Sequence, residues 1–384
     1  MKLIHLSDLH IGKRIYGFSM LEEQKHILQQ ILQMIKKEQA DGIMIAGDLY
    51  DKGVPPAEAV QVFDKFLTEL ADLNVPIFAI SGNHDSPERI AFASSLLRGR
   101  NVFFSPVYDG NVCRVSLQDK YGEVNIYLLP FLKPSIVRHA LEEKYEKELQ
   151  IESYQEAIEA AIKEMNVDKE KRNVLVAHQF VTGAKQCESE ELQIGGIDQI
   201  SVETFADFDY VALGHLHSPQ KVGRETVRYC GTPLKYSFSE ADHKKSVTVV
   251  ELFEKGKVEV STIPLKPFRD LQKIKGTYLE ITSKSFYEKV NQENYIQVTL
   301  TDEEDIPDGL EKLRLFYPNL MCMDYDNKRT KSVQEISVTE EVERKSEIQL
   351  FGELFELQNN QQMSQVQKEF VMELIEKIKE GGNH

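Results

Sequence analysis

Five times within its first 217 residues the chain runs through a short apolar stretch and stops on residues able to bind a metal ion. "KLIHLSDLHIG" delivers Asp8 and His10, "GIMIAGDLYDKG" delivers Asp48 and Asp51, and "VPIFAISGNHD" delivers Asn83, His84 and Asp85. "NVLVAHQF" then gives His178, and "YVALGHLH" gives His215 and His217. Short apolar runs bounded by turn residues read as buried β-strands, and their alternation with helical patterns is the signature of β/α units. In open α/β sheets, ligands gather beyond the carboxyl ends of the strands, so five such ends can converge on one point. A single strand-end Asp often caps a helix, and a single His is usually an ordinary one. Five clusters in order, holding five of the ten histidines, leave coincidence the poorer explanation. His5, His26, His139, His243 and His384 have no such setting and default to ordinary roles.

Around that frame, residues 21 to 37 place Leu21, Ile27, Leu28, Ile31, Leu32 and Ile35 on one helical face. Pro55 and Pro56 suit a helix start, continued by Ala59, Phe63, Phe66, Leu67 and Leu70. Leu141, Tyr145, Tyr154, Ile158, Ile162 and Met165 predict one or two surface helices with a solvated face. From Lys245 the texture turns strand-like in "SVTVVELFEKGKVEVSTIPL", a hairpin, and Pro264 and Pro267 mark a boundary. The stretch 268 to 326 predicts a small α+β unit with strands "TYLEITS" and "YIQVTLTD", a helix at 308 to 316, and "LMCMDYD". Near the end, Ile348, Phe351, Leu354 and Phe355 form one stripe, and Val366, Phe370, Leu374, Ile375 and Ile378 another, predicting a helical pair. The expected division is therefore 1–262, 263–335 and 336–384.

Composition narrows the function. The 384 residues can bury a sizeable core, and no window approaches the roughly 18 apolar residues of a membrane span. Asp8 and His10 interrupt the apolar start before any export signal forms, and the four cysteines form no CxxC pair, so a reducing cytoplasm is expected. A net charge of −16 argues against chain-wide affinity for nucleic acid, which needs a basic footprint. A DNA substrate would then depend on local lysines and arginines, metal ions or a partner.

The spacing has chemical content. Residues two apart in an extended strand face the same side, so Asp8 and His10 are expected to point together, as are His215 and His217. A mixed Asp, Asn and His set without thiolate suits divalent Mn, Fe, Zn or Co rather than a structural zinc site.

The ordered set D-x-H, G-D-x-x-D, G-N-H-D, H and G-H-x-H resembles the calcineurin-like metallophosphoesterase superfamily. "HIGKRIYGFSMLEEQKHILQQIL", "YCGTPLKYSFSE" at 229 to 240 and the terminal helical pair narrow the resemblance to the D-subunit nucleases of bacterial SbcCD complexes. It spans nearly the whole chain, is most specific before residue 240 and is thinnest across 268 to 345. It implies an α/β fold: a two-sheet β-sandwich flanked by helices, a small α+β capping domain and a C-terminal helical pair. It also implies a DNA exonuclease and endonuclease active in repair, recombination and replication, with two divalent metal ions, Mn²⁺ expected.

Carried over position by position, Asp8, His10, Asp48 and His217 would hold one metal, and Asp48, Asn83, His178 and His215 the other. His84 follows a ligand and should turn elsewhere, toward the scissile phosphate, to donate a proton, with Asp85 orienting its ring. Relatives from archaea and eukaryotes carry a second catalytic histidine where Asp51 stands here, so Asp51 is expected instead to orient a ligand histidine. Lys13, Arg14, Lys235 and Ser237 are candidate DNA contacts, beside Arg89, Arg98 and Arg100. The terminal stripes, with Phe351, Phe355, Phe370 and Leu374, would dock on the coiled-coil base of an SbcC-type ABC ATPase. A homodimer within a heterotetramer is implied, joined through helices at 57 to 72 and 87 to 98, with Phe63, Ile90, Phe92, Leu96 and Leu97 as apolar surface. "GDLYDKG" also resembles the G-D-x-x-D-R-G of phosphoprotein phosphatases, the alternative reading, but Lys52 stands where those have arginine.

Overall fold

A computed structural model describes residues 1–92, 94–185, 187 and 199–328, and, beyond these, 330, 348, 351, 352, 355, 362–368, 370–372 and 374. The chain divides into two compact units, Met1–Leu271 and Gln272–His384.

In the first unit the predicted strands pair as their apolar character requires. Lys2–Leu6 lies parallel to Gly42–Ala46, which lies parallel to Ile77–Ile80. The hairpin Ser246–Leu252 and Val258–Pro264 adds to the other side of Lys2–Leu6, antiparallel from Ser246↔Pro264 to Leu252↔Val258. With Val102–Phe104 these make one six-stranded sheet. A second six-stranded sheet runs in the order Gln220–Val222, Arg224–Tyr229, Tyr210–Gly214, Arg172–His178, Gly122–Leu129, Cys113–Asp119. The two sheets pack face to face: Leu3, Met44, Phe78 and Ile80 of the first share a core with Val124, Ile126, Leu128, Val174, Val176 and Ala212 of the second. Because side chains alternate along a strand, Ile4, Ile43, Ile45 and Ile77 face outward, yet all are buried. The stripe Ile27, Leu28, Ile31, Leu32 and Ile35 of helix Leu21–Glu38, and Phe63, Phe66 and Leu70 of helix Ala57–Ala71, are buried too. Each such aliphatic side chain gives about 1.5–3 kcal/mol on burial, and truncating Ile31 to Ala would cost about 2–5 kcal/mol.

The segment read as solvated is only half so. Helices Pro134–Tyr145 and Tyr154–Glu164 form, the second behind a Ser153–Glu156 capping box, and Leu141, Tyr154, Ile158 and Met165 join the core on the outer face of the second sheet. Only Tyr145 of that stripe is largely exposed.

The second unit holds a three-stranded sheet, Leu271–Gly276, Tyr295–Leu300 and Leu320–Tyr325, over a core of Ile281, Ile296, Val298, Leu300, Leu313 and Tyr317. One expected strand is a helix. "TYLEITS" forms Tyr278–Ile281 because Thr277 and Glu280 close a capping box on each other's backbone N–H, and this T-x-x-E signature outweighs the β-propensity of Tyr, Ile and Thr. The predicted helix at 308 to 316 is present as Gly309–Arg314.

Of the terminal stripes, Leu354, Ile375 and Ile378 lie outside the described residues. Residues 365–368 and 370–372 are helical, and Val366 and Phe370 stand 75% and 62% exposed. Among the described residues no helix is long and apolar enough to cross a membrane.

Candidate metal centre

The donors sit beyond the strands, on loops. Lys2–Leu6 ends before Ser7, and Asp8 and His10 follow with φ of 51° and 44°; Asp48 has 50° and His215 104°. Extended-strand alternation therefore does not bring Asp8 and His10 together, as the sequence led us to expect. The left-handed turns do, each at a cost of order 1–3 kcal/mol for a residue with a Cβ. Two loops meet that cost by clasping one another: Asp8 N–H donates to Gly47 O (3.0 Å), His10 N–H to Asp48 O (2.9 Å) and Ile11 N–H to Leu49 O (3.0 Å). At the other pair, Tyr210–Gly214 ends before His215, and the two imidazoles part. His215 Nδ1 lies 3.0 Å from Asn83 Oδ1, while a His217 ring nitrogen groups with Asp8 and His10 within 4.8 Å.

Two glycines let the strand ends close up. A Cβ on Gly82 would stand 2.1 Å from Asp48 Oδ1, and one on Gly214 1.8 Å from Ala46 O, distances no side chain tolerates. With both positions bare, His178 reaches across to the first sheet. Its Nδ1 meets Ala46 O at 2.8 Å, and its Nε2 lies 2.9 Å from Asn83 Oδ1 and 3.3 Å from Asp48 Oδ2.

Among the described residues, three overlapping groups bring donor atoms within 4.8 Å of one another: Asp8, His10 and His217; Asp8, Asp48 and His178; and His10, Asp48 and His84. Asp48 occurs in two of the three. His10 is fully buried, and neither of its ring nitrogens has a hydrogen-bond partner among the described residues, a costly state for a polar ring unless a cation takes a lone pair. Burial holds His10 well below its ordinary pKa and lowers His215 to about 3, with the charge on His178 adding to the latter. Both rings are thus neutral, each with an unprotonated nitrogen whose lone pair a metal can take. Burial disfavours charge on His178 as well, but Asp48 beside it lifts that histidine to about 9. Burial also raises Asp8. Two carboxylates, an amide and four imidazoles, dry and convergent, fit a pair of divalent ions.

Residues 1–219 match the family model of the calcineurin-like phosphoesterases. The chain belongs to that family. Residues 267–359 match a second model, the type 5 capsule protein repressor C-terminal domain. The D subunit of the SbcCD nuclease of Staphylococcus epidermidis is 33% identical over 382 residues, which cover 98% of this chain and 98% of the relative. Two solved structures align more distantly. TT1561 of Thermus thermophilus is 13% identical over 68% of this chain and 98% of that one, with a TM-score of 0.36. A dimetal phosphatase from Danio rerio is 12% identical over 69% and 99%, with a TM-score of 0.38.

As a calcineurin-like phosphoesterase the chain is a metal-dependent enzyme, and its sandwich is the fold of that family. Around the donors several expectations change. His84 lies at the edge of the donors: a ring nitrogen groups with His10 and Asp48, and its Nδ1 rests 3.2 Å from the Asp51 carbonyl. Asp85 neither orients that ring nor caps the next helix, which Ser86 does. Its carboxylate instead accepts from the backbone N–H groups of Leu49, Tyr50 and Gly82 at 3.0–3.1 Å, tying two loops of the phosphoesterase site together. Asp51 stands 3.9 Å from His10 Nδ1, too far for a hydrogen bond, and pairs with Lys13 at 2.8 Å. Arg14 is exposed and donates to Gly17 O. Lys235 is engaged by Asp270 at 2.8 Å and by Ala241 O, and Ser237 caps a short helical turn by accepting from Ser239 N–H. Lys235 and Ser237 thus have structural occupations that the sequence did not disclose.

Four contributors were missed altogether. Gln24, inside the apolar stripe of Leu21–Glu38, holds the Asp8–Gly12 loop through His10 O (2.7 Å) and Gly12 N–H (3.0 Å), and Tyr236 O–H donates to Leu9 O at 2.6 Å. Glu240 and Lys245 form a buried pair beside His217. A glutamine interrupting an apolar stripe was the available signal for the first; Glu240 ends the segment "YCGTPLKYSFSE", yet nothing local marked it.

Proposed function

We propose that this phosphoesterase is the nuclease component of an SbcCD-type complex, a Mn²⁺-dependent enzyme that degrades DNA double-strand ends and cuts single strands and hairpins in repair, recombination and replication, in the cytoplasm. What carries the reading is similarity to the D subunit of an SbcCD nuclease across 98% of both chains, together with convergent donors: Asp8, His10, Asp48, His178 and His217 group closely, and Asn83 Oδ1 lies 2.9 Å from His178 Nε2 and 3.0 Å from His215 Nδ1. In this reading Asp8, His10, Asp48 and His217 hold one ion and Asp48, Asn83, His178 and His215 the other. Bound there, the ions would acidify a water molecule and draw off charge gathering on the phosphate.

The chain's own groups supply the rest. Asp48 would serve both ions, since a carboxylate offers two oxygens. Only Asp8 and Asp48 bring negative charge, so two dications keep a net charge of about +2 for an anionic phosphodiester. Asn83 adds a neutral oxygen. His84 is half-buried and open to substrate; with its Nδ1–H directed at the Asp51 carbonyl, Nε2 is the atom that delivers a proton to the leaving oxygen.

Residues 1–262 would be the catalytic domain, 263–335 a DNA-capping domain and 336–384 the segment that binds an SbcC-type ATPase. Exposed Phe351, Val366, Phe370 and Leu374 suit a helix laid in a partner's groove. For the homodimer, Phe63 and Ile90 are core residues, whereas Phe92 and Leu96 are each 80% exposed, so the contact would rest on the latter two.

With Mn²⁺ the purified chain should degrade linear duplex DNA, and His84→Ala should lose cleavage while keeping its metal content. Normal cleavage by that variant would refute the role of His84, and hydrolysis of a phosphomonoester with DNA left intact would favour the phosphatase alternative. Deleting 345–384 should abolish co-purification with the ATPase and spare cleavage by the isolated chain; retained association would defeat that assignment.

A further inference from the structure

The imidazoles of the centre are steadied from behind by unequal groups. His178 Nδ1 faces a neutral backbone carbonyl, Ala46 O, at 2.8 Å. His10 Nδ1 faces Asp51 at 3.9 Å, beyond hydrogen-bond reach. His217 Nδ1 faces a carboxylate, Glu240 Oε1, at 3.4 Å.

Glu240 is fully buried, where an unpaired carboxylate is strongly disfavoured. It is not left so. Oε2 contacts Lys245 Nζ directly and accepts from Thr232 Oγ1 at 3.4 Å, and Oε1 accepts from Tyr236 N–H at 3.3 Å. Lys245 in turn donates to Thr232 Oγ1 (2.6 Å) and to the carbonyl of His217 (2.8 Å). The cluster thus grips His217 twice, at its ring through Glu240 and at its backbone through Lys245. A buried ion pair is seldom more stabilising than well-packed apolar residues, so stability alone gives no reason to build this wall from charges. A carboxylate behind a ligand histidine does: it fixes the tautomer with Nδ1–H turned away from the metal and makes the other nitrogen a stronger donor.

We propose that Glu240 is a positioning residue of the metal centre: its carboxylate, held in place by Lys245, aims the His217 Nε2 lone pair at the ion shared with Asp8 and His10, and strengthens binding of that ion alone. The inference rests on the two-ion reading above. The ion on the His178 side, with a backbone carbonyl behind its histidine, is independent of Glu240.

The test is Mn²⁺ titration of the full chain, followed by calorimetry and by electron paramagnetic resonance. Wild type should take up two ions per chain and show a spin-coupled pair. In Glu240→Gln one binding event should weaken by about 10–100-fold and the other should not change, so that at intermediate Mn²⁺ the spectrum is that of a single uncoupled ion. Because Glu240→Gln strands a buried lysine, Glu240→Leu/Lys245→Met is the companion variant; it should unfold at a temperature near that of wild type and still lose the same event. Wild-type affinity for both ions in the variants, or equal weakening of both, overturns the inference while leaving the two-ion reading intact. A wild type that takes up fewer than two ions overturns that reading, and the inference with it.

Discussion

The two sheets of the first unit contribute different chemistry to the centre. From the sheet of Lys2–Leu6 come Asp8, His10, Asp48, Asn83 and His84, and three of these five hold left-handed backbone. From the sheet of Arg172–His178 come His178, His215 and His217, the first still within its strand. The acids and the amide thus lie on loops fastened to one another within that sheet, through Asp8 to Gly47, His10 to Asp48, and Asp85 to three backbone amides. The histidines are fastened across the sandwich, through His178 Nδ1 to Ala46 O and His215 N–H to the Asp8 carboxylate at 3.0 Å. One half of the centre is organised locally, and the other exists only once the sheets have packed.

The most severe test of that contrast is Gly214→Ala. The new Cβ would lie 1.8 Å from Ala46 O and 2.8 Å from His178 Nδ1, with backbone on one side that has nowhere to go. We expect a loss of about 3 kcal/mol, the upper range for overpacking, and failure to take up both ions. A Gly214→Ala chain with wild-type urea midpoint and metal content would show that the sheets do not meet as closely as described.

Asp85→Asn attacks the local half instead. The carboxylate serves three N–H groups, and an amide in its place offers one acceptor and two donors. A loss of about 2 kcal/mol is expected from the weakened charged hydrogen bonds, together with a fall in cleavage as the Asp48 loop loosens. Unchanged unfolding would mean the loops are held by the backbone clasp alone.

His5 bridges the sheets by another route, with Nδ1 2.9 Å from Tyr210 O–H and Nε2 3.2 Å from Leu213 O. Burial depresses its pKa to about 3 from 6.5, against a smaller opposing effect of the Leu213 carbonyl. Between pH 6.5 and about 3 the unfolded chain therefore binds a proton that the folded chain refuses. This contribution to stability is complete above 6.5 and is lost as pH falls through that window, by up to ~1.4 kcal/mol per pH unit. Urea midpoints at pH 7 and pH 5 should differ less in His5→Gln than in wild type, and equal differences would remove His5 from the account.

How much of this was legible follows the same division. Strand ends and ligating residues share local segments, so "GDLYD" or "GNHD" announces both element and chemistry, and the hairpin at 246 to 264 followed from its apolar run, whereas the two-sheet sandwich came from the family resemblance and not from the apolar pattern, which spoke only of β/α units. What depended on distant partners did not show. Glu240 matters through His217 and Lys245, Gln24 through the His10 carbonyl, and Asp85 through amides of another loop rather than through its neighbour His84. Backbone sign was equally hidden: nothing in "SDLH" says that Asp8 and His10 take positive φ, because that conformation is imposed by the Asp48 loop. "TYLEITS" failed for a local reason, since its β-formers sit just after a capping threonine.

The smallest expected effect concerns Lys13. The sequence offered it to DNA phosphate and offered Asp51 to a histidine; folding pairs them with each other at 2.8 Å, with the lysine side chain 20% exposed. A partly exposed pair of this kind gives under about 1 kcal/mol, so Lys13→Gln should barely move the urea midpoint. Its nucleic-acid role is separable, because each phosphate contact adds about 0.9 to the slope of log affinity against log salt. A Lys13→Gln variant whose slope on duplex DNA falls by about that amount keeps Lys13 as a contact of the first sheet's loops. An unchanged slope leaves it to Asp51 alone, and makes those loops self-contained in charge as well as in hydrogen bonds.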